Sequence, residues 1–179
     1  SIINQLGIPQ DMGFKKTSET IAISFNVTET GIGVFTEEEV SLQLDVLNNE
    51  IFVCLAVDLN LSPPDAIAGV DTRVISTVAS TSTTAMSGLS NSNVLAVARD
   101  DIRAAGFIDS GVGFSRGATE TYTGDVDYIG LISTNNFFVA LQGNANTGLS
   151  AVNGRLWGYR AKADSATYAA LVQSEVLSA

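Results

Sequence analysis

Apolar and polar side chains alternate in steps of two along much of this 179-residue chain. In residues 21–28, isoleucine, phenylalanine and valine occupy the odd positions, and smaller or polar residues occupy the even ones. Side chains that alternate in this way lie on opposite faces of a β-strand, whereas a helix groups residues three or four apart. The same pattern in residues 40–46 and 51–59 predicts two more strands, so we expect a mainly β chain.

Turn-forming residues separate these segments. Gly31 and Gly33 end the first strand, and Asn48-Asn49 predicts a tight turn because asparagine tolerates the left-handed conformation. Residues 62–65 contain two prolines, which cannot donate to a β-ladder, and so end the third strand. Further strands are predicted at residues 73–80, 94–99, 119–123, 128–133, 136–142 and 154–163. We therefore predict an antiparallel two-sheet β-sandwich, a single jelly roll of about eight strands, with a short C-terminal helix.

The strand faces predict the composition of the core. Ten apolar residues are expected there: Ile23, Phe25, Leu42, Leu44, Val53, Leu55, Ile129, Leu131, Val139 and Leu141. Residues 81–93 are rich in serine and threonine and predict a long exposed loop. Residues 100–105 are expected to form one helical turn that ends at Gly106.

The two ends of the chain differ from the part between them. Residues 1–16 lack a clear period and predict an N-terminal arm, residues 17–163 the jelly roll, and residues 164–179 the C-terminal helix. Asp164 and Ser165 are suitable N-cap residues for that helix. An apolar stripe on the helix and the apolar residues of the arm are expected to cover neighbouring subunits. These residues are Ile2, Ile3, Leu6, Ile8, Met12 and Phe14 in the arm, and Tyr168, Leu171 and Val172 in the helix.

Glu175 lies near the C-terminal end of the predicted helix. The helix dipole slightly disfavours an acidic side chain at that position. We therefore expect a partner to stabilise this end of the helix.

The composition excludes several chemistries. The chain has no histidine and one cysteine, so it has no Ser-His-Asp triad, no histidine-ligated metal and no internal disulfide. Nineteen acids against nine bases give a net charge of −10 and a pI near 4.2. Such a chain is not expected to bind nucleic acid directly, because phosphates need a basic surplus. The acidic, lysine-poor composition favours a halophilic or marine protein, with an ordinary acidic protein as the alternative.

Two local patterns are candidates for ligand binding. Residues 111–117 superficially resemble a dinucleotide loop, but no helix is predicted behind them, so a flexible loop is expected. Asp125 and Asp127 share a strand face and, with Asp58 or Asp109, could hold calcium. Solvated surface acids are the simpler interpretation, and whether a cation binds there stays open.

Three further patterns have simple structural interpretations. Residues 37–39 are three glutamates, which we expect in a solvated loop rather than in a glycosidase site. Cys54 is expected to be a small buried core residue. Asn26 and Asn60 begin glycosylation patterns, which matter only in an exported protein. We therefore assign no catalytic, cofactor-binding or metal-binding residue, and we expect neither enzyme activity nor a cofactor.

Three features occur together along the chain: the arm of residues 1–16, the strand series of residues 21–163, and a closing hairpin of residues 137–141 and 155–160. In this order they resemble the single jelly-roll viral major capsid proteins. With the acidic composition, the chain is most similar to the small major capsid protein of sphaerolipovirus-type halophilic archaeal viruses with an internal membrane.

The resemblance implies a structural protein of the virion without a small-molecule substrate. Such a protein would assemble with itself and with a related second capsid protein into capsomers of an icosahedral shell. It would lie near an internal viral membrane that encloses the DNA, without direct contact to the nucleic acid.

Two other classes remain open. An extracellular filament or surface-adhesin subunit would also be a β-sandwich, and its arm would add a strand to a neighbour's sheet. A carbohydrate-binding β-sandwich would need a stripe of exposed aromatics, but aromatic residues make up 7% of the chain and Trp157 is its one tryptophan.

Overall fold

The computed structural model describes residues 13–106, 113–117, 120–123 and 127–178. Within these ranges the chain forms strands β1 to β11, one helix and one 3-10 turn at Val46–Asn48. The first six strands are β1 (Phe14–Lys16), β2 (Ile21–Thr28), β3 (Thr36–Ser41), β4 (Glu50–Leu61), β5 (Thr72–Ala79) and β6 (Val94–Arg103). The remaining elements are β7 (Gly113–Arg116), β8 (Glu120–Tyr122), β9 (Gly130–Ile132), β10 (Asn136–Asn144), β11 (Ala151–Ala163) and the helix α1 (Ser165–Ser178).

The strands form two antiparallel sheets. In sheet A, β11 and β4 are central; β1 and β2 both pair with β11, and β8 and β9 both pair with β4. Sheet B has the order β3-β10-β5-β6-β7. The chain passes repeatedly from one sheet to the other. As a result, the row β2-β11-β4-β8/β9 of sheet A lies opposite the row β3-β10-β5-β6 of sheet B. This is the strand order of a jelly roll, and it confirms the predicted β-sandwich with a short C-terminal helix.

The main core lies between the two sheets. Six of the predicted core residues are buried: Phe25, Leu42, Leu44, Val53, Val139 and Leu141. The other four are partly buried and pack against core clusters: Ile23, Leu55, Ile129 and Leu131. The alternation therefore identified buried positions correctly, although three of them do not face the other sheet.

A bulge in β4 explains this difference. Trp157 pairs with Ala56 and Gly158 pairs with Cys54, so Leu55 is an extra residue without a partner in β11. The inward face of β4 consequently changes from even positions, such as Cys54, to odd positions, such as Val57. Strict alternation along this strand assigns Val53 to the wrong side of sheet A.

A second core lies on the outer face of sheet A, beneath α1. Its fully buried members are Ile51, Val53, Ala161 and Ala163. The residues that pack against them are Phe14, Leu55, Tyr128, Leu131, Tyr159, Tyr168 and Leu171. Phe14, Tyr168 and Leu171 therefore cover their own sheet, which corrects the expectation that they face neighbouring subunits.

The ends of α1 are fixed by side chains of the same chain. Asp164 caps the helix as predicted, because its Oδ1 accepts a hydrogen bond from the Thr167 backbone N–H at 2.7 Å. Glu175, near the other end, is buried and bonded to Ser133 in the turn between β9 and β10. The partner expected for this acid is thus part of the domain itself.

Residues 42–44 and residues 100–105 differ from their predicted structure. Residues 42–44 continue the alternation but leave the ladder, because Asn135 accepts from Leu42 N through its carbonyl and from Leu44 N through its side chain. Residues 100–105 do not form a helical turn; β6 continues to Arg103, and its two aspartates pair with arginines. Asn49, with φ at 59°, confirms the predicted turn.

The proposed division into arm, jelly roll and helix remains a prediction, and residues 1–12 of the arm lie outside the described ranges. Phe14–Lys16, at the end of the predicted arm, forms β1 and pairs with β11. Among the described residues, no helix combines the length and apolar character needed to cross a bilayer.

Candidate functional site

The outer face of sheet A beyond α1 carries three rows of residues that run across neighbouring strands. We call this surface the polar face. Its rows are Ala22, Trp157 and Ala56; Ser24, Arg155, Asp58 and Glu120; and Asn26, Asn153 and Asn60. Cross-strand neighbours on one face lie about 4.5–5.5 Å apart, so each row forms a continuous line of side chains.

Asp58 and Trp157 occupy the centre of the polar face. The Trp157 indole N–H donates a hydrogen bond to Asp58 Oδ2 at 3.2 Å. The other carboxylate oxygen, Oδ1, is buried and has no hydrogen-bond partner among the described residues. The Arg155 guanidinium lies 6.0 Å from the centre of the Trp157 ring, at the outer limit of a cation–π contact.

A groove of about 550 Å³ crosses the polar face. Polar side chains dominate its lining: Ser24, Asp58, Asn60, Glu120, Asn153 and Arg155. The sequence points to Asp58 and Asn60 separately, but it does not show that the six residues share one surface. Their convergence depends on the register of strands that are far apart in the chain.

An arginine–aspartate cluster lies on β5, β6 and β7 of sheet B. Asp101 pairs with Arg73 at 2.6 Å and with Arg99 at 3.0 Å. Asp100 accepts two hydrogen bonds from Arg116, at 3.0 and 3.2 Å. These guanidinium groups are already paired with carboxylates, which leaves little of their charge for phosphate groups.

Two exposed aspartates hold loops at one end of the sandwich. Asp65 accepts hydrogen bonds from the backbone N–H and the hydroxyl of Thr147, both at 2.7 Å. Asp71 accepts from the backbone N–H groups of Ala104 and Ala105, at 2.8 and 2.9 Å. These hydrogen bonds favour the ionised carboxylates and lower the pKa of both aspartates.

Glu29 performs a similar role in a buried position. Its carboxylate accepts hydrogen bonds from the backbone N–H groups of Gly143 and Ser150, at 2.8 and 2.7 Å. Gly143 is near the end of β10 and Ser150 directly precedes β11, so Glu29 holds the two ends of this connection together. Sequence reasoning did not identify it, because nothing in its local pattern distinguishes it from a surface acid.

The three predicted loop glutamates lie on β3, which corrects that expectation. Glu37 accepts hydrogen bonds from the Ser82 hydroxyl and from Thr83 N, and Glu39 accepts from the Asn136 amide at 2.9 Å. In the described part of the chain β3 pairs with β10 alone, so it is an edge strand of sheet B. Charged side chains on such an edge oppose uncontrolled strand pairing.

The structure describes two of the four aspartates that were considered as cation ligands. Asp109 and Asp125 lie outside them, Asp127 is exposed, and Asp58 belongs to the polar face. No group of three or more histidine, cysteine, aspartate or glutamate residues that could hold a metal occurs among the described residues.

The glycine-rich candidate forms a strand, which corrects the expectation of a flexible loop. Its residues Gly113–Arg116 form β7, which pairs with β6; residues 111–112 lie outside the described ranges. Cys54 is a core residue as predicted, and burial raises the pKa of its thiol to about 12. Asn26 and Asn60 are exposed on the polar face.

Comparisons with known proteins add little to this geometry. No family model matches the chain, and no curated protein matches it. Among solved structures, a chain of Desmodium yellow mottle tymovirus is 11% identical and has a TM-score of 0.30, with 82% of this chain and 87% of that chain covered. This likeness is too distant to indicate a function.

Proposed function

We propose that this chain is a structural protein of a virion, a capsid subunit that assembles through its outer surfaces. The observation that supports the proposal most is the jelly-roll strand order of the two sheets. This architecture occurs in viral capsid proteins, and also in lectins and cupins, so the fold alone does not decide the function.

In its finer form, the proposal is a major capsid protein that forms capsomers of an icosahedral shell together with a related second capsid protein. Its place would be the virion, close to an internal membrane, in a halophilic archaeal or marine virus. The acidic, lysine-poor composition supports this form. The paired arginines of sheet B are consistent with a shell that does not touch the packaged DNA.

Exposed apolar side chains provide candidate contacts between subunits. Leu47 in the 3-10 turn, Leu89 in the loop between β5 and β6, and Leu177 in α1 are 92%, 68% and 75% exposed. Burying a leucine fully contributes about 1.5–3 kcal/mol, so a few such contacts affect assembly strongly. Because these side chains contribute little to the folded monomer, their substitution tests assembly separately from folding.

Electron microscopy of the purified full-length chain tests the proposal. We expect closed shells, or capsomers that form shells with a second capsid protein, and weaker assembly of the Leu47→Ser variant with an unchanged circular dichroism spectrum. Ser87→Ala, in the loop between β5 and β6, is the matched control. Filaments would instead support the extracellular filament subunit, and a monomer under every condition would contradict both assembly functions.

A further inference from the structure

We propose that the polar face of sheet A binds a neutral saccharide, with Trp157 as the stacking surface and the asparagine row as the hydrogen-bonding surface. The inference does not depend on the capsid function. It rests on the groove, on the bonding state of the residues that line it, and on Trp157, which lies outside the lining but donates a hydrogen bond to the lining residue Asp58.

One carboxylate oxygen of Asp58 has no hydrogen-bond donor. Oδ2 accepts from the Trp157 indole, whereas the buried Oδ1 has no donor among the described residues. A buried acceptor without a donor is costly, so the carboxylate of this groove-lining residue gains from a donor supplied by water or by a ligand. A sugar hydroxyl is a donor of the required kind.

The amides of the asparagine row have unused hydrogen-bonding capacity. Each amide offers two donor hydrogens and a carbonyl acceptor. The one side-chain hydrogen bond described within the row joins Asn60 Nδ2 to Asn153 Oδ1 at 3.5 Å, the long limit for such a bond. Asn26, Asn60 and Asn153 are all exposed, so their amides are available to adjacent hydroxyls of a polyol.

Trp157 has small neighbours on the sheet. Its cross-strand neighbours are Ala22 and Ala56, and the half-buried indole ring has the Arg155 guanidinium 6.0 Å from its centre on one face. An aromatic ring beside hydrogen-bonding groups suits a sugar, which has apolar C–H faces and a polar edge of hydroxyls. The Arg155 side chain, exposed next to the ring, can donate to the same ligand.

Groove size and charge favour a small neutral ligand. Its volume of about 550 Å³ lies within the usual range of roughly 300–1,000 Å³ for ligand sites. Arg155 lies between Ser24 and Asp58 in its row, and Glu120 follows Asp58. This mixture does not favour an anion such as a phosphate or a sulfated sugar.

A second copy of the chain is the rival occupant of this surface. The centres of protein–protein interfaces are depleted in charged residues, whereas the middle row of the polar face is largely charged. The most exposed large apolar side chains, such as Leu47 and Leu177, belong to other elements. A polyol therefore fits the polar face better than a protein surface does.

Trp157 makes the experiment direct, because it is the one tryptophan of the chain and its fluorescence reports on this site. The full-length protein is titrated with the methyl glycosides of glucose, galactose, mannose and N-acetylglucosamine and with the corresponding disaccharides. We expect a saturable fluorescence change with at least one of these sugars, with a millimolar dissociation constant. Asn153→Ala and Asn60→Ala should each weaken binding by about tenfold, the effect of one lost hydrogen bond.

Asn144→Ala is the matched control, because Asn144 is an exposed asparagine at the end of β10 in sheet B. It should leave the titration unchanged. The proposal is overturned if no sugar gives a saturable change and the asparagine side-chain amide signals do not shift in nuclear magnetic resonance spectra. It is also overturned if the control variant weakens binding as much as Asn153→Ala does. A change of the asparagine signals with protein concentration alone would overturn it as well, because the polar face would then bind a second copy of the chain.

Discussion

The carboxylate of Glu175 accepts hydrogen bonds from both the backbone N–H and the hydroxyl of Ser133, at 2.7 and 3.0 Å. The backbone carbonyl of Glu175 also accepts from the Asn93 side chain at 3.0 Å. The last turns of α1 are thereby joined to the turn between β9 and β10 and to the loop between β5 and β6. These hydrogen bonds to one carboxylate oxygen hold an acid at a position that the helix dipole disfavours, while the other oxygen, Oε2, is buried without a partner among the described residues.

Replacement of this carboxylate should loosen the helix. In the Glu175→Ala variant, the Ser133 N–H loses its acceptor in a buried position, which costs about 1–3 kcal/mol of the free energy of unfolding. Urea denaturation measures this loss, and faster hydrogen exchange of the α1 amides would locate it. Gln173→Ala, at an exposed position of the same helix, is the control; equal stability of the two variants would contradict the role of Glu175.

Asp65 and Asp71 should make the loop end of the sandwich sensitive to acid. Their hydrogen bonds lower both pKa values from the ordinary value of 3.8 in the folded state. Because both carboxyl groups have a lower pKa in the folded state than in the unfolded state, they stabilise the fold fully at pH values above the unfolded-state pKa. This stabilisation disappears as the pH falls through the folded-state pKa. We therefore expect the melting temperature to fall steeply below about pH 4.

The matched variants isolate this effect. Asp65→Asn combined with Asp71→Asn should reduce the dependence of the melting temperature on pH in this acidic range. Glu38→Gln, which removes an exposed carboxylate from β3, should leave the dependence unchanged. The explanation fails if the double variant and the control have the same pH profile.

The bulge in β4 should make Gly158 intolerant of any side chain. A methyl group at this position would collide with the Val53 carbonyl oxygen and the Phe52 ring. We expect Gly158→Ala to lower the free energy of unfolding by about 3 kcal/mol, as overpacking of a core does. Gly148→Ala, where nothing lies within 4 Å of the added carbon, should change it by less than about 0.5 kcal/mol. Similar denaturation midpoints for the two variants would argue against the close packing at the bulge.

The sequence predicts the strands that alternate without interruption, and it fails where distant residues determine the backbone. β2 and β11 are recovered because their inward positions stay on one face. Leu42 and Leu44 are buried as predicted, yet they leave the ladder because Asn135 supplies their acceptors from another part of the chain. Asp100 remains in β6 because Arg116 of β7 pairs with it, and neither local propensity nor spacing shows that pairing.

The polar face illustrates a second limit. Asn26, Asn60 and Asn153 are unremarkable residues of three separate strands, and the register of β2, β11 and β4 places them in one row. Alternation gives the face on which each residue lies, but not which residues of other strands are its neighbours. The sparse aromatic content argues against a stripe of exposed aromatics, and the saccharide site proposed above uses one tryptophan and several amides instead.

Assembly should depend on salt. The chain carries a net charge of −10, so identical subunits repel each other. The Debye length grows from about 3 Å at 1 M to about 30 Å at 0.01 M salt, which exposes subunits to that repulsion. We expect light scattering to show that assemblies loosen or dissociate on dialysis into low salt. Particles of unchanged size would speak against electrostatic repulsion as a determinant of assembly.

Two N-terminal deletions should separate the assembly role of the arm from its role in the fold. Deletion of residues 1–12 removes Ile2, Ile3, Leu6, Ile8 and Met12 but keeps β1. Deletion of residues 1–16 also removes the Phe14 ring, whose centre lies 6.1 Å from the centre of the Tyr128 ring. It removes as well the Lys16 ammonium, which lies 4.8 Å from the centre of the Tyr159 ring.

We expect both truncated chains to be folded by circular dichroism and deficient in assembly by size-exclusion chromatography. The longer deletion should also melt at a lower temperature, because it uncovers part of the core beneath α1. Normal assembly of the chain that lacks residues 1–12 would show that these residues do not form an interface. If the chain that lacks residues 1–12 is unfolded, these residues instead complete the domain's own core. If the two truncated chains melt at the same temperature, β1 contributes no stability.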